Sequence, residues 1–201
     1  MLCAACRRSL RLLRPPACGR CGAPTVWPVE RCRECAGRRL GFATARGAVA
    51  YTGAARALVA AWKEHGLRRA APLAADLVAE VLAPPAADAI TYIPADPERL
   101  LRRGDHPAER LARCLGERWG LEVVQLLVRN GSGRRQATLS RAERLRNARG
   151  AYVAVAASPR AVVLVDDVYT TGATVSAGAT ALRHAGARRV DVVTFARTVR
   201  S

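Results

Sequence analysis

The chain has 201 residues, of which 50% are hydrophobic, and a formal net charge of +17 at pH 7. This length suffices for one sizeable core with a small additional unit, and the apolar content excludes an intrinsically disordered chain. Aromatic residues make up only 4%, so the core must consist mainly of alanine, valine and leucine. The charge comes almost wholly from arginine, since Lys63 is the single lysine. It favours nucleic acid, acidic membranes or phosphorylated substrates as partners, although this composition is equally typical of a GC-rich genome.

The N-terminus and the longest apolar stretch argue against secretion and membrane insertion. Cys3, Cys6 and Arg7 interrupt the first residues before the apolar core of a signal peptide could form. The stretch 70–90 contains acidic residues and prolines, which exclude it as a transmembrane helix. We therefore expect a cytoplasmic protein without membrane insertion.

Six of the seven cysteines form three Cys-x-x-Cys pairs in the first 40 residues, namely Cys3/Cys6, Cys18/Cys21 and Cys32/Cys35. Each such pair can present two thiolates to one tetrahedral ion, and a cytosolic chain favours metal over disulfides. The spacing of the second and third pairs predicts a zinc ribbon, with Cys3/Cys6/Cys18/Cys21 as an alternative set. The expected domains are a zinc-binding region at 1–40 and an α/β domain at 41–201.

From residue 41 onward, strand and helix patterns alternate. Strands are predicted at 49–51, 89–93, 122–127, 152–155, 161–165 and 190–195, and helices at 53–65, 72–81, 107–119 and from about 174 to Gly186. Asp105 is expected to cap the third helix. The segment 94–104 is predicted as a basic loop, and 130–150 as a candidate lid. The alternation predicts a parallel sheet with right-handed crossovers, which binds ligands at the carboxyl ends of its strands.

The most informative stretch, residues 162–174, is Val-Val-Leu-Val-Asp-Asp-Val-Tyr-Thr-Thr-Gly-Ala-Thr. Its four aliphatic residues predict a strand buried on both faces, which Asp166 and Asp167 follow. The turn after them opens a helix, and a helix N-terminus binds phosphate well. Carboxylates suit sugar hydroxyls or hydrated Mg²⁺, so the combination indicates a phosphorylated sugar. A P-loop is excluded, because Ala173 stands where its lysine would be.

This stretch resembles the phosphoribosyl pyrophosphate (PRPP) signature of type I phosphoribosyltransferases: four aliphatics, two acids, two apolar residues, then Thr-Thr-Gly-x-Thr. Nearly the whole chain is similar to the ComF (competence protein F-like) branch of that family. The resemblance includes the cysteine pairs, Tyr51-x-Gly53, Leu58 to Gly66, Ile93-Pro94, Arg99-x-x-x-Arg103-Gly104, and the motif from Gln136 to Gly150.

The resemblance implies a type I phosphoribosyltransferase fold with an N-terminal zinc ribbon. Asp166 and Asp167 would hold the ribose hydroxyls, and the turn would hold the 5′-phosphate through Thr170, Thr171, Gly172, Ala173 and Thr174. Arg99 and Arg103 would meet the pyrophosphate leaving group, which carries Mg²⁺. Lid candidates are Arg134, Arg135, Arg141 and Arg144, and Lys63 is a further candidate because a compact ammonium stands in a chain that otherwise uses arginine. The pattern favours zinc at Cys18, Cys21, Cys32 and Cys35, leaving Cys3 and Cys6 without partners.

The implied function is PRPP binding and transfer of the phosphoribosyl group with release of pyrophosphate, linked to DNA uptake. The alternative is a non-catalytic module that binds PRPP or single-stranded DNA and docks onto competence-machinery proteins. The chain departs from the family at Asp105-His106-Pro107, where Phe-Asn-Gln is usual, and at Asp96, where histidine is usual. These positions bear on catalysis more than on PRPP binding. His65, His106 and His184 lack ligand spacing and are expected to be structural.

Overall fold

A computed structural model describes residues 3–130 and 150–199 of the chain. Its strands are β1 (Thr44–Ala50), β2 (Ala89–Tyr92), β3 (Leu127–Arg129), β4 (Tyr152–Ala154), β5 (Ala161–Tyr169) and β6 (Arg189–Arg197). Its helices are α1 (Ala4–Arg8), α2 (Gly53–His65), α3 (Ala70–Val81), α4 (Pro97–Arg103), α5 (Pro107–Trp119) and α6 (Ala173–His184).

The central feature is a four-stranded parallel sheet with the order β1–β6–β5–β2. Helices cover it, and the cysteine-rich region precedes it in the chain, so the predicted α/β class is confirmed. A two-stranded antiparallel sheet of β3 and β4 lies beside it. In the part of the chain that the structure describes, no helix has the length and apolarity needed to cross a membrane.

The aliphatic run of β5 is buried on both faces, as predicted. Val163 and Val165 belong to the core cluster that includes apolar residues of α2, α3 and α5. Val162 and Leu164 belong to the cluster that includes apolar residues of α6 and the cysteine-rich region. Because successive side chains of a strand point to opposite faces, each hydrophobic layer receives every second residue of the run.

Several predicted elements are wrong in extent or type. Strand β5 does not stop at Val165 but continues to Tyr169, because β6 pairs with it beyond the acidic residues. The basic loop at 94–104 contains α4, which begins at Pro97, a residue that suits the first turn of a helix. The predicted strand at 122–127 is reduced to a bridge between Val123 and Ile90, followed by β3.

The cap of α5 also differs from the prediction. Asp105 was expected to cap this helix, but the cap is His106, whose Nδ1 lies 3.2 Å from the Glu109 nitrogen. The Asp105 carboxylate instead accepts from Trp62 Nε1 at 3.2 Å and forms an ion pair with Arg110. Asp105 therefore supports the buried core under α2.

The first 40 residues lie against the sheet at more than one point. Leu12 forms an antiparallel bridge with Val49, which covers the outer edge of β1. Further along, Arg46 on β1 donates to the Gly19 carbonyl, 2.9 Å away. Immediately after this region, Gly41 approaches α6 closely, and its N–H donates to Ser176 Oγ at 3.0 Å. The cysteine-rich region is therefore packed against both the strand edge and the last helix.

Candidate functional site

A cavity with a volume of about 550 Å³ lies at the carboxyl ends of β2 and β5. This is the edge of a parallel sheet at which ligands bind. Its wall includes Lys63 from α2, the segment 93–96 after β2, residues 105–108 at the start of α5, and Arg129 and Tyr152 from the small sheet. The last part of β5 and the N-terminal end of α6 complete it.

Asp166 and Asp167 both line this cavity. They lie within β5 and not after it, opposite the end of β6, where Asp166 pairs with Thr194. Asp166 Oδ1 accepts from the Asp167 N–H at 2.9 Å, and Asp167 Oδ1 accepts from the Val168 N–H at 2.8 Å. One oxygen of each carboxylate is thus engaged by the strand's own backbone, and this contact fixes the orientation of both groups.

Lys63 forms an ion pair with Asp167 Oδ2. Its side chain is 31% exposed and that of Asp167 is 10% exposed, so the pair lies at the cavity wall and not on the open surface. Helix α2 reaches this position because it packs on the sheet through the buried Leu58 and Trp62. The single lysine of the chain therefore lies beside the acid pair.

The pKa of Asp166 is raised well above its usual range, because burial partly shields the carboxyl group from solvent and because the Asp167 carboxylate is adjacent. The Lys63 ammonium opposes this shift only in part. A carboxylate that is poorly solvated and close to a second one is stabilised by a ligand that brings hydroxyl donors or a cation.

The turn after β5 presents the N-terminus of α6 to the cavity. Thr170 and Thr174 line the cavity, and Thr171, Gly172 and Ala173 form the backbone between them. Thr171 Oγ1 accepts from the Ala173 N–H at 3.4 Å, and the first helical hydrogen bond runs from the Ser176 N–H to the Gly172 carbonyl at 2.9 Å. The N–H groups of a helix's first turn have no partner within the helix, and they attract anions.

Gly172 is required in this turn for two reasons. Its φ of 74° lies in the left-handed region, which residues with a Cβ rarely adopt. A Cβ at this position would also lie 2.3 Å from Tyr169 Oη. The turn after β5 therefore rests directly on the buried Tyr169 ring.

His106 orders the wall formed by the segment after β2. Its Nε2 accepts from the Ala95 N–H at 2.8 Å, and its Nδ1 lies 3.2 Å from the Glu109 nitrogen. A neutral imidazole can accept only one of these hydrogen bonds at a time, and a protonated ring can accept neither. Burial lowers the pKa of His106. The ring is thus a structural element, as expected, but one that lines the cavity and holds its backbone.

The sequence patterns did not predict the contribution of the small sheet. Arg129 and Tyr152 line the cavity, and the Arg129 guanidinium lies 5.7 Å from the centre of the Tyr152 ring. Both residues flank the segment 130–150. Their position next to the candidate lid could have indicated that they line the cavity. The wall also contains His106 and Asp96, two of the positions at which the chain departs from the family pattern.

Other predicted site residues cannot be placed in this cavity. Arg99 and Arg103 lie on α4, but the structure does not describe their side chains. The structure does not describe residues 131–149, which include the candidate lid arginines Arg134, Arg135, Arg141 and Arg144.

The second candidate site is a cluster of four cysteines, Cys18, Cys21, Cys32 and Cys35, whose sulfur atoms all lie within 4.8 Å of one another. The Sγ–Sγ distances are 3.6 Å for Cys18 and Cys35, 3.5 Å for Cys21 and Cys32, and 4.0 Å for Cys32 and Cys35. Four thiolates at the ~2.3 Å bond length of zinc would stand roughly 3.8 Å apart at tetrahedral angles. The spacing therefore fits one tetrahedral ion and is far too long for disulfides.

Backbone donors around Cys18 favour its thiolate, whereas burial raises the pKa values of Cys21 and Cys35. The N–H groups of Cys21 and Cys32 donate to Cys18 Sγ at 3.5 and 3.3 Å. Burial raises the pKa of Cys18, but these N–H groups, with other nearby donors, lower it to about 6. The four cysteines could hold a metal ion.

Cys3 and Cys6 lie outside this cluster. Both are exposed on the short helix α1, where Cys3 Sγ accepts from the Cys6 N–H at 3.3 Å. The alternative set of the first and second cysteine pairs is thus not brought together in the structure.

No protein-family model matches the chain. Among curated proteins, the chain is 34% identical over 104 residues to "Competence protein ComFC" of Streptococcus pneumoniae (strain ATCC BAA-255 / R6). The match covers 51% of this chain and 44% of that protein, so the chain spans less than half of this relative. Taken with the motifs described above, this similarity supports the resemblance of the chain to the ComF family.

Proposed function

We propose that the chain binds PRPP in the cavity beside the acid pair and transfers its phosphoribosyl group to an acceptor with release of pyrophosphate. The observation that carries this proposal is the joint position of Asp166, Asp167 and the N-terminus of α6 on one cavity wall. Carboxylates accept from ribose hydroxyls, and a helix N-terminus donates to a phosphate. A sugar phosphate is the class of ligand that uses both the carboxylates and the helix N-terminus.

The role of each residue follows from its place in the cavity. Asp166 and Asp167 accept hydrogen bonds from the ribose hydroxyls, while Lys63 holds the orientation of Asp167. The 5′-phosphate binds the hydroxyls of Thr170 and Thr174 and the N–H groups of the turn between them. This arrangement favours transfer by positioning the sugar and by stabilising charge at the reacting carbon.

Two metal ions belong to this proposal. We assign Zn²⁺ to the four-cysteine cluster, where it would have a structural role, since four thiolates leave no open position for a substrate. Mg²⁺ would accompany PRPP and neutralise charge on the pyrophosphate. The carboxylate oxygens at the cavity supply the hard ligands that Mg²⁺ or its bound waters prefer.

The alternative function is a non-catalytic module in DNA uptake, which binds PRPP or single-stranded DNA and acts through competence-machinery proteins. The name of the similar protein supports a link to competence. The net charge of +17 favours a polyanionic partner. The unusual residues Asp96 and His106 in the cavity wall favour this alternative over catalysis.

The decisive experiment is calorimetric titration of the protein with PRPP and Mg²⁺, compared with the double variant Asp166→Asn/Asp167→Asn. We expect binding by the wild type and its loss in the variant, because both carboxylates lie at the cavity. Asp88→Asn is the matched control, since Asp88 accepts from the Ala161 N–H at the opposite end of β5. Wild-type affinity in the double variant would show that the site is elsewhere. A pyrophosphate-release screen over bases then separates the enzyme from the binding module.

A further inference from the structure

Arg38 connects the cysteine cluster to the phosphate turn. It follows Cys35, whose carbonyl accepts from the Arg38 N–H at 3.2 Å. Its guanidinium donates through Nη2 to the Thr171 carbonyl at 2.8 Å. In a planar trans peptide the C=O and the next N–H point in opposite directions. By holding the Thr171 carbonyl, Arg38 therefore directs the Gly172 N–H away from the cysteine-rich region.

Arg197, at the end of β6, makes a second connection. The residue is 1% exposed, and its guanidinium donates to the Cys21 carbonyl and to Glu34 Oε2, the latter at 2.8 Å. Nη2 also lies 3.8 Å from Cys21 Sγ. A buried guanidinium is costly unless its partners are fixed. All three of these partners belong to the cysteine-rich region.

The same guanidinium lies against the residue that supports the turn. Arg197 Cζ is 4.7 Å from the centre of the Tyr169 ring. Tyr169 Oη in turn lies directly beside Gly172, where a Cβ would be 2.3 Å away. A continuous series of contacts thus runs from Cys21 through Arg197 and Tyr169 to the turn.

A metal ion in the cluster would fix both connections. Metal ligation holds Cys21 and Cys35 at defined positions, and with them the carbonyl that receives Arg197 and the backbone that carries Arg38. A Zn²⁺ ion on four thiolates also keeps a net formal charge of about −2, which attracts the guanidinium beside Cys21 Sγ. Loss of the ion would remove this constraint from both anchors.

We propose that Arg38, Arg197 and Tyr169 are positioning residues that couple the cysteine cluster to the phosphate turn, so that the bound metal and bound PRPP stabilise each other. The part of this statement that concerns PRPP rests on the proposed function. The coupling of the metal to the turn does not rest on the proposed function. Because coupling between two sites is reciprocal, a metal that raises PRPP affinity by some factor must be held more tightly by the same factor when PRPP is bound.

The test measures, at equilibrium, how much zinc a chromogenic chelator removes from the purified, zinc-loaded chain, with and without saturating PRPP and Mg²⁺. The zinc affinity of the wild-type protein should be about tenfold higher when PRPP is bound, within the usual range of coupling between sites. Arg38→Ala and Arg197→Met should retain one zinc per chain, bind PRPP more weakly, and lose this protection. A purely structural role for the arginines would leave the protection by PRPP intact.

Two neighbouring arginines provide matched controls. Arg39→Ala removes an exposed arginine next to Arg38. Arg46→Ala removes an arginine that also donates to a carbonyl of the cysteine-rich region, at Gly19, but makes no contact with the turn that the structure records. Both variants should show wild-type protection. Equal zinc release with and without PRPP in a wild-type chain that binds PRPP would overturn the proposal.

Hydrogen exchange separates failure of this inference from failure of the proposed function. In the zinc-loaded chain, a peptide covering residues 169–176 should exchange faster in Arg38→Ala than in wild type, and Arg39→Ala should leave it unchanged. If the wild type fails to bind PRPP, the proposed function is wrong, and this exchange still decides whether the cluster is coupled to the turn. Unchanged exchange in both Arg38→Ala and Arg197→Met would show that the cluster is not coupled to the turn.

Discussion

The Asp166 carboxyl group occupies an environment that disfavours its charge. It is partly withdrawn from water, and the Asp167 carboxylate lies next to it, which together raise its pKa well above the ordinary value. Such a residue lowers the stability of the free protein while offering an acceptor to a ligand. Stability and binding should therefore respond in opposite directions when it is changed.

We predict that Asp166→Asn raises the free energy of unfolding at neutral pH, by on the order of 1 kcal/mol, while PRPP binding is lost. The folded-state pKa is raised, so the charged form is penalised fully above that pKa, and the penalty disappears as pH falls toward the unfolded value of about 3.9. The gain should thus be present at neutral pH and shrink on acidification. Denaturant unfolding at several pH values measures it, and a loss of stability at neutral pH would contradict the assignment.

Gly172 allows a second prediction for a single residue. Gly172→Ala combines a left-handed backbone with a clash against Tyr169, whereas Gly66→Ala, at the end of α2, meets the left-handed backbone alone with no atom within 4 Å. The backbone alone costs about 1 kcal/mol. We expect Gly66→Ala to lose roughly that much stability and to bind PRPP normally. Gly172→Ala should lose more stability and bind PRPP weakly; equal behaviour of the two variants in thermal unfolding and calorimetry would refute this.

At the scale of the elements, apolar patterns in the sequence indicated where strands and helices lie, whereas polar segments did not show where these elements begin or end. The run Val162–Val165 identified a central strand because both faces are buried, but no pattern in Asp166 and Asp167 could show that pairing with β6 continues past them. Helix α4 was missed because its arginine-rich sequence has no apolar face, so the loop prediction followed its charge. The acid pair was predictable from its motif, whereas the contact between Lys63 and Asp167 depends on how α2 packs across the sheet.

The cysteine-rich region gives a prediction at this scale. The prepared protein should contain one zinc per chain, and Cys3→Ser/Cys6→Ser should retain it, because the cluster is formed by the other four cysteines. Cys18→Ser/Cys21→Ser should lose zinc and unfold at lower temperature, since a region this small cannot bury enough apolar surface by itself. Metal analysis by mass spectrometry decides the question. Loss of zinc from the first variant would shift the site to include the N-terminal pair.

At the scale of the whole molecule, the charge of +17 is much larger than a single PRPP molecule requires. Most of the arginines whose side chains the structure describes lie outside the cavity, so a polyanion could bind the surface without entering the site. The structure also exposes one aromatic residue suited to nucleic acid. Trp27, in the loop between the two cysteine pairs of the cluster, is 66% exposed, and bases can stack on such a ring.

We predict weak, non-specific binding of single-stranded DNA at low salt that falls steeply as salt rises, because Arg–phosphate contacts release counterions. PRPP should compete in part if the arginines of the candidate lid, Arg134, Arg135, Arg141 and Arg144, serve both ligands. Fluorescence anisotropy of a labelled oligonucleotide at several salt concentrations, with and without PRPP, measures both effects. Trp27→Ala should weaken binding without changing the salt slope, since stacking carries no charge. Negligible affinity near physiological salt, indifferent to PRPP, would show that the arginine content reflects genome composition and not a DNA-binding function.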